Sequence, residues 1–264
     1  MSTGLPIYRA DIPSGMYLGR DARVNPRVFL QWGQETAEVL RLADFSDYGQ
    51  FEISSSRTIF MRNLRLELTE ALYTTAWTTA PYTLSVEAFN SHTGRTSFDL
   101  TLRWLVDGEL VATLVRKMVY MSLKTGKPTP LPELFVSRNP AKSDLQFSLC
   151  QEAPRSAAQA NVHVRPSDID FNNHVGHPTY VDYMLDSACV SKYQYASSDL
   201  LAERISCIDL EYKYPVVLGR RVTVQSWDGE GEGGVEVNFV MHQAGTWLGS
   251  TLVALGRVQL FSNS

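Results

Sequence analysis

The stretch RPSDIDFNNHVGHPTYVDYMLDSA, residues 165–188, joins two different patterns of side chains. Its first part gathers two aspartates, two asparagines and two histidines within residues 168–177. Its second part starts with His177-Pro178 and then repeats apolar residues at the i, i+3, i+4, i+7 spacing of one helix face, as Val181, Met184, Leu185 and Ala188. Because proline favours the start of a helix, the stretch predicts a polar loop leading directly into an amphipathic helix.

The first half of the chain repeats this order of elements. VNPRVFLQWGQETAEVLRLAD, residues 24–44, again places an X-Pro pair, Asn25-Pro26, before a helical pattern. Each helix is followed by segments that read as strands, at 64–72, 82–90, 96–106 and 109–121 and then at 205–217, 221–227, 235–242 and 247–260. Asp107-Gly108 and Ala244-Gly245 are predicted hairpin turns, and the strand after each carries L-x-x-T-L-V.

The order of a helix followed by an antiparallel sheet occurs in both halves of the chain, and it predicts an α+β tandem (double) hotdog fold. In this fold each sheet wraps a long helix, and the two sheets pair edge to edge as a pseudo-dimer. Residues 122–144 contain four prolines, which indicates a connection between the halves. We therefore expect an N-terminal hotdog over 1–122, a linker over 123–160 and a C-terminal hotdog over 161–264. Two unrelated α+β domains are the alternative.

Composition excludes several classes of partner. The formal net charge is −4, and charges of both signs are interspersed, so neither nucleic acid nor a membrane surface is expected as a partner. The three cysteines, Cys150, Cys189 and Cys207, have no C-x-x-C spacing and suit a reducing compartment. The N-terminal residues lack the pattern of a secretion signal. A cytoplasmic protein is therefore expected.

The loop before the second helix carries the predicted chemistry. Asp170 is predicted to be a nucleophile or the base that orients a water, Asn172 to position the reacting groups or hold the oxyanion, and His174 to transfer protons. Backbone N–H groups at a helix start attract negative charge, so those of Val175 and Gly176 are expected to stabilise the oxyanion. His177 is either a neighbour of the helix cap or a second pocket wall or acid. The first half has no histidine at the corresponding place, so a single site is expected.

The sequence SDIDFNNHVGHPTYVDYMLDS resembles the D-x-N-x-H-V stretch of the acyl-carrier-protein (acyl-ACP) thioesterases of plants and bacteria, and more loosely the 4-hydroxybenzoyl-CoA thioesterase superfamily. IDLEYKYPVVLGRRVTVQS and YMSLKTGKPTPLPELF are similar to further parts of the same family. The resemblance implies a tandem hotdog that hydrolyses acyl thioesters carried by acyl carrier protein or coenzyme A. It places the family's catalytic aspartate, asparagine and histidine on Asp170, Asn172 and His174. It implies no cofactor and no metal.

The sequence departs from the family at several positions. Pro215 occupies the place of a glutamate that helps to activate water, Val216 replaces a cysteine, and Gly176 and His177 replace an asparagine pair. Either the base is Asp170 or His174, or the reaction is not hydrolysis. The alternatives are a hotdog dehydratase or another acyl- or polyketide-processing enzyme, and a non-catalytic module that binds acyl chains or a carrier protein.

Other residues have simpler interpretations. Asp168 and Asn173 are expected to cap helices and close turns, and Cys189 to fill the core. A metal held by Asp170, His174 and His177 is not expected because a fourth ligand is missing. An acidic carrier protein would favour a basic patch, for which the candidates are Arg220-Arg221, Arg155 and Lys124 with Lys127. The chain is expected as a pseudo-dimeric monomer or as a homodimer.

Overall fold

The structure is a computed structural model, and it describes residues 8–10, 25–42, 51, 54–75, 84–138, 148–170, 172–192, 204–231, 234–244 and 250–261. The chain divides into two compact units. The first unit comprises Met1–Val24 and Val28–Phe147, and the second comprises Asn25–Arg27 and Ser148–Ser264. The boundary after Phe147 lies inside the segment 123–160 that the sequence assigns to a linker.

The first unit is built on an antiparallel sheet. Its elements are β1 (Tyr8–Ala10), α1 (Arg27–Leu42), β2 (Arg57–Leu68), α2 (Glu70–Thr74), β3 (Leu84–Thr93), β4 (Ser97–Val106), β5 (Glu109–Ser122), β6 (Lys127–Pro128) and α3 (Glu133–Arg138). The strands lie in the order β1-β3-β4-β5-β2, and β6 pairs with β5. The turn Asp107-Gly108 has φ of 49° and 88°, which is the left-handed pair that a two-residue hairpin requires, so this predicted turn is confirmed.

Helix α1 packs on one face of this sheet. Phe29 and Trp104 are both fully buried, with ring centroids 5.4 Å apart in an edge-to-face arrangement. The guanidinium of Arg116 on β5 donates a hydrogen bond to the carbonyl of Gly33 at 3.3 Å. The predicted first helix is therefore confirmed, and its apolar side chains fill the core of the first unit.

Two segments of the first unit differ from the sequence expectation. The predicted strand 64–72 starts earlier, at Arg57, and ends at Leu68. Residues 70–74 form the short helix α2 instead, because the Thr69 N–H and hydroxyl bond to the carbonyls of Val111 and Leu110 at the start of β5, where the sheet pairing ends. The segment assigned to a linker contains β6 and α3, and Phe135 of α3 is fully buried.

The second unit has a second antiparallel sheet. Its elements are β7 (Ala158–His163), α4 (His177–Lys192), β8 (Ile205–Tyr212), β9 (Arg221–Gly231), β10 (Gly234–Ala244) and β11 (Ser250–Leu260). These strands lie in the order β8-β11-β10-β9-β7. The predicted strand 205–217 ends at Tyr212, and β7, which pairs with β9, was not predicted. The turn Ala244-Gly245 lies partly outside the described residues.

Helix α4 is the central helix of the second unit. Its predicted apolar stripe is confirmed, because the members are all nearly or fully buried, at Val181, Met184, Leu185 and Ala188. Gly256 on β11 lets the helix approach closely, since a Cβ there would lie 2.5 Å from the sulfur of Met184. The side chain of Cys189 lies outside the described residues. No helix of the described segments combines the length and apolar character needed to cross a membrane.

Candidate active site

The loop between β7 and α4 is closed by its own backbone hydrogen bonds. The N–H of Asp170 donates to the carbonyl of His174 at 2.9 Å, and the N–H of Asn173 donates to the carbonyl of Asp170 at 3.1 Å. Asn173 has a φ of 61°, a left-handed conformation that asparagine adopts more readily than most residues. Ile169 and Val175 pair at the base of this turn. The turn therefore brings Asp170 and His174 together, although they are four residues apart.

The carboxylate of Asp170 lies at the centre of the predicted D-x-N-x-H group. Its side chain is only 7% exposed. Oδ1 accepts the backbone N–H of Asn172 at 2.8 Å, and Oδ2 lies 3.5 Å from the side-chain nitrogen of Asn172. These contacts hold the carboxylate in one orientation. A carboxylate held this way is better suited to orienting a neighbour than to attacking a substrate.

The imidazole of His174 faces that carboxylate. Nδ1 lies 3.5 Å from Oδ1 of Asp170 and 3.4 Å from the carbonyl of Val175. Both neighbours are acceptors, so they favour the tautomer in which Nδ1 carries the proton. Nε2 then carries the lone pair, and the side chain is 23% exposed, which leaves it accessible to a small molecule. The arrangement can therefore take a proton at Nε2 while Asp170 stabilises the resulting imidazolium.

The expected oxyanion donors are already engaged. The N–H of Val175 donates to the carbonyl of Val216 at 2.8 Å, and the N–H of Gly176 donates to the carbonyl of Asp168 at 3.0 Å. The prediction that these two N–H groups take an oxyanion is therefore wrong for this structure. The reason is that both groups hold the loop in place, which leaves no hydrogen for a ligand. The side chain of Asn172 is exposed and remains as a donor next to His174.

The first turn of α4 forms one wall beside the loop. His177 is partly buried, and its ring lies 5.1 Å from that of Tyr212. Tyr180 packs edge-on against the same ring at 5.2 Å. Burial raises the pKa of Tyr180 to about 12, and the nearby charge of Asp170 acts in the same direction. His177 thus packs against aromatic side chains, and its role as cap neighbour, pocket wall or acid stays a prediction.

Asp168 anchors the loop to helix α4. Its buried carboxylate accepts the backbone N–H of Arg165 at 2.8 Å, the Arg165 guanidinium at 3.2 Å and the hydroxyl of Tyr183 at 2.8 Å. Burial by itself would raise the pKa of Asp168, but these hydrogen bonds and the charge of Arg165 lower it below the ordinary value. Burial and the bond to this carboxylate raise the pKa of Tyr183. The contacts support the structural role expected for Asp168.

Three residues of this neighbourhood were missed by sequence reasoning. Arg165 stands three residues before Asp168, a capping spacing that could have been recognised. Tyr183 is fifteen residues from Asp168, and the carbonyl of Val216 is far from Val175 along the chain. No local pattern indicates contacts of that kind.

The connection between β8 and β9 passes beside the loop. Val216 is fully buried, whereas Pro215, at the position where the sequence resemblance predicts a glutamate, is exposed. Pro215 therefore brings no carboxylate to this place. Within the described residues, no group of three histidine, cysteine, aspartate or glutamate side chains could hold a metal ion.

Comparisons with known proteins agree with the chemistry of this loop. Residues 151–252 match the model of the acyl-ACP thioesterase C-terminal domain family. The match includes the D-x-N-x-H stretch and confirms, for these residues, the resemblance predicted from it. No curated protein matches the chain significantly in sequence.

Solved structures resemble the whole chain. The acyl-ACP thioesterase of Bacteroides thetaiotaomicron superposes with a TM-score of 0.73 at 17% identity, over 97% of each chain. The 12:0-ACP thioesterase of Umbellularia californica superposes with a TM-score of 0.74 at 15% identity, over 96% of each chain. At this identity the likeness establishes a shared fold.

Proposed function

We propose that this chain, whose residues 151–252 match the model of the acyl-ACP thioesterase C-terminal domain, hydrolyses the thioester bond of acyl chains carried on acyl carrier protein. The observation that carries the proposal is the contact between Asp170 and His174, 3.5 Å apart, inside the matched region. A fixed carboxylate behind an accessible imidazole is the arrangement that general-base hydrolysis requires.

His174 is the proposed proton carrier. Nε2 takes a proton from a water molecule, whose oxygen attacks the thioester carbonyl and forms a tetrahedral intermediate. The same nitrogen then gives the proton to the leaving sulfur as the carbon–sulfur bond breaks. The products are the free acid and the carrier thiol. Asp170 keeps Nδ1 protonated and stabilises the imidazolium between the two transfers, so we assign it orientation and not nucleophilic attack.

Asn172 is the proposed donor to the oxyanion. Its side-chain nitrogen lies 3.5 Å from Oδ2 of Asp170. A hydrogen bond of this length is weak, so the nitrogen can exchange it for a charged acceptor at little cost in free energy. The positive end of the dipole of α4 lies beside this loop and favours the same developing charge. His177 is assigned to the wall of the acyl site, where it packs against Tyr212.

The proposed architecture is a tandem hotdog. Each unit supplies a long helix on an antiparallel sheet, and the similar thioesterase structures extend over nearly the whole chain. We propose that the two units form the pseudo-dimer that the sequence predicts, with one active site in the second unit. The domain boundaries at 122 and 160, the cytoplasmic location and a further homodimer stay predictions of the sequence.

A binding module without turnover is the second candidate. The observation that favours it is Pro215, which removes the carboxylate that activates water in the related enzymes. The two candidates differ in one property, since a binder retains the acyl thioester intact.

The test is thiol release by the purified protein from acyl-ACP substrates of graded chain length. A thiol reagent reports each hydrolysed bond, and the parent protein without substrate serves as the blank for the chain's own thiols, among them the exposed Cys150. If the protein hydrolyses the thioester, each protein molecule releases many thiol molecules, and the rate is highest for one range of acyl chain lengths. If the protein binds acyl-ACP but releases no thiol, the proposed function is binding and not hydrolysis.

A further inference from the structure

We propose that residues 213–221, the connection from β8 to the start of β9, form the docking surface for the acyl carrier protein. This proposal rests on the proposed function, since the acyl chain must reach the Asp170–His174 pair. The segment, called the docking loop below, joins three properties that a carrier surface needs. It exposes apolar side chains, it is held rigidly, and it carries positive charge at one end.

The docking loop exposes large apolar side chains. Tyr214 is 61% exposed, Leu218 is 54% exposed and Val217 is 42% exposed. Isolated exposed apolar residues are common, but three within five positions form a patch of the kind that binds another protein.

These side chains are exposed although hydrogen bonds hold the backbone of the docking loop in place. The N–H groups of Lys213 and Tyr214 donate to the carbonyl of Val253 on β11, at 2.9 and 3.3 Å. The carbonyl of Val216 accepts the N–H of Val175, and the carbonyl of Arg220 accepts the N–H of Val164 at 3.0 Å. The loop is thus fixed at both ends and in the middle, and the fully buried Val216 side chain turns its neighbours outward.

Positive charge collects at one end of the docking loop. Arg220 and Arg221 follow Gly219, and the pairing of β7 with β9 places Arg221 opposite His163. Arg165 lies just beyond that pair, but its guanidinium bonds to Asp168 at 3.2 Å, so the net positive charge of this end comes from Arg220 and Arg221. The acidic Glu211 nearby is neutralised by Lys213 at 2.6 Å. This end is therefore basic, although the whole chain carries a net charge of −4.

The docking loop also borders the active site. Val216 in its centre is hydrogen-bonded to Val175, the residue next to His174. A carrier protein bound to this surface would therefore have its acyl arm within a short distance of the imidazole. Arg165 directly precedes the loop that carries Asp170 and His174, so charged side chains lie next to the proposed catalytic pair.

The chemistry of the surface favours a protein over coenzyme A. The phosphates of coenzyme A would be satisfied by the guanidinium groups alone and would leave Tyr214 and Leu218 in water. An acidic helical carrier covers both, with carboxylates toward the arginines and apolar side chains on the exposed patch. The docking loop is therefore assigned to the carrier protein.

Two variants with matched controls test the assignment. Leu218→Asp places a charge in the exposed patch, and Val235→Asp places the same charge at a 50% exposed valine on β10. Arg221→Glu reverses a charge of the basic end, and Arg95→Glu reverses an exposed charge in the first unit. Each protein is measured with the same acyl chain on carrier protein, on coenzyme A and on N-acetylcysteamine, a small thiol without phosphate.

The expected result is selective for the carrier protein. Leu218→Asp and Arg221→Glu should raise KM for acyl-ACP by about 10-fold, because apolar contact is lost and electrostatic steering is reversed. The rates with the N-acetylcysteamine thioester should stay at those of the parent, which also reports an intact fold. The controls should retain the parental KM, and Arg221→Glu should weaken the dependence of kcat/KM on salt.

Other outcomes overturn the assignment. An unchanged KM for acyl-ACP in both loop variants, or an equal rise in Arg95→Glu, places the carrier elsewhere. A rise with acyl-CoA as large as that with acyl-ACP assigns the arginines to the nucleotide. If the parent hydrolyses none of the three substrates, the proposed function fails. Titration of labelled carrier protein against parent and variants then still decides the docking surface by an equivalent change in Kd.

Discussion

Nδ1 of His174 lies 3.5 Å from Oδ1 of Asp170, within a turn that the backbone of the same two residues closes. The turn brings the imidazole to the carboxylate without help from another element of the fold. The consequence is a proton carrier whose orientation is set locally, with its second nitrogen directed away from the carboxylate. Each of the following predictions depends on this loop or on the contacts that hold it.

Removing the charge of Asp170 tests its orienting role. Asp170→Asn keeps the size of the side chain but no longer stabilises the imidazolium, so kcat should fall by about 100-fold or more. Thiol release from acyl-ACP measures the loss. The control is Asp228→Asn, which removes an exposed carboxylate from β9 of the same unit. Equal losses in both variants, or none in Asp170→Asn, would contradict the role.

Asn172 and its neighbour Asn173 form a matched pair. Asn172→Ala should lower kcat by about 100-fold with little change in KM, because it removes the proposed donor to the oxyanion. Asn173→Gly removes the neighbouring amide and keeps the left-handed backbone at φ 61°, so its kcat should stay close to that of the parent. A larger loss in Asn173→Gly would assign the oxyanion to the other asparagine.

The anchor at Asp168 predicts a dependence of stability on pH. Its pKa in the folded protein is below the ordinary value, so its contribution is present at neutral pH and is lost as pH falls through the lowered pKa. Asp168→Asn should reduce the free energy of unfolding by about 1 to 3 kcal/mol at pH 7. Urea unfolding of parent and variant at pH 7 and pH 3 measures the difference, which should shrink in acid.

Tyr183→Phe is the companion to that measurement. It removes the hydroxyl that donates to Asp168 at 2.8 Å and leaves the packing of the ring unchanged. Its loss of stability should be smaller than that of Asp168→Asn, because the bonds from Arg165 remain. A loss that is the same at both pH values for Asp168→Asn would mean that packing, not charge, holds the loop.

Asp182 on α4 predicts the opposite dependence. Burial raises its pKa to about 6, Arg27 at 3.0 Å opposes the rise, and Asp186 and Asp168 add to it. A raised pKa means that the charged form destabilises the fold above pH 6, and that this penalty disappears as pH falls toward the ordinary pKa of about 4. Asp182→Asn should therefore raise the free energy of unfolding at pH 8 and leave it unchanged at pH 4.

The sign of the change in the free energy of unfolding at pH 8 shows whether the burial of Asp182 or its ion pair with Arg27 has the larger effect. Urea unfolding at both pH values measures it. A decrease in stability at pH 8 would mean that the ion pair with Arg27 outweighs the cost of burial.

The sequence predicts those features that depend on local spacing. The stripe from Val181 to Ala188 indicates the buried face of α4, and Asp107-Gly108 indicates the hairpin turn. The spacing of Asp170, Asn172 and His174 similarly predicts that they meet, because a short turn suffices to bring them together.

The features that sequence reasoning missed depend on contacts between distant residues. The N–H of Val175 is expected to be free at a helix start, but the carbonyl of Val216, forty-one positions away, accepts it. The strand β7 has a single large apolar residue, Val162, and gains its structure by pairing with β9. The sequence prediction extends the strand to residue 72, but the sheet has no partner for the chain beyond Leu68, and residues 70–74 form a helix instead.

The most direct test of the account is thiol release from acyl-ACP by His174→Ala, compared with the parent and with His242→Ala, which removes a histidine on β10 outside the loop. We expect the parent and His242→Ala to turn over alike, and His174→Ala to be slower by about 100-fold or more while it unfolds at the same urea concentration. A folded His174→Ala protein that releases thiol at the parental rate would contradict the assignment of the proton carrier and, with it, the proposed mechanism.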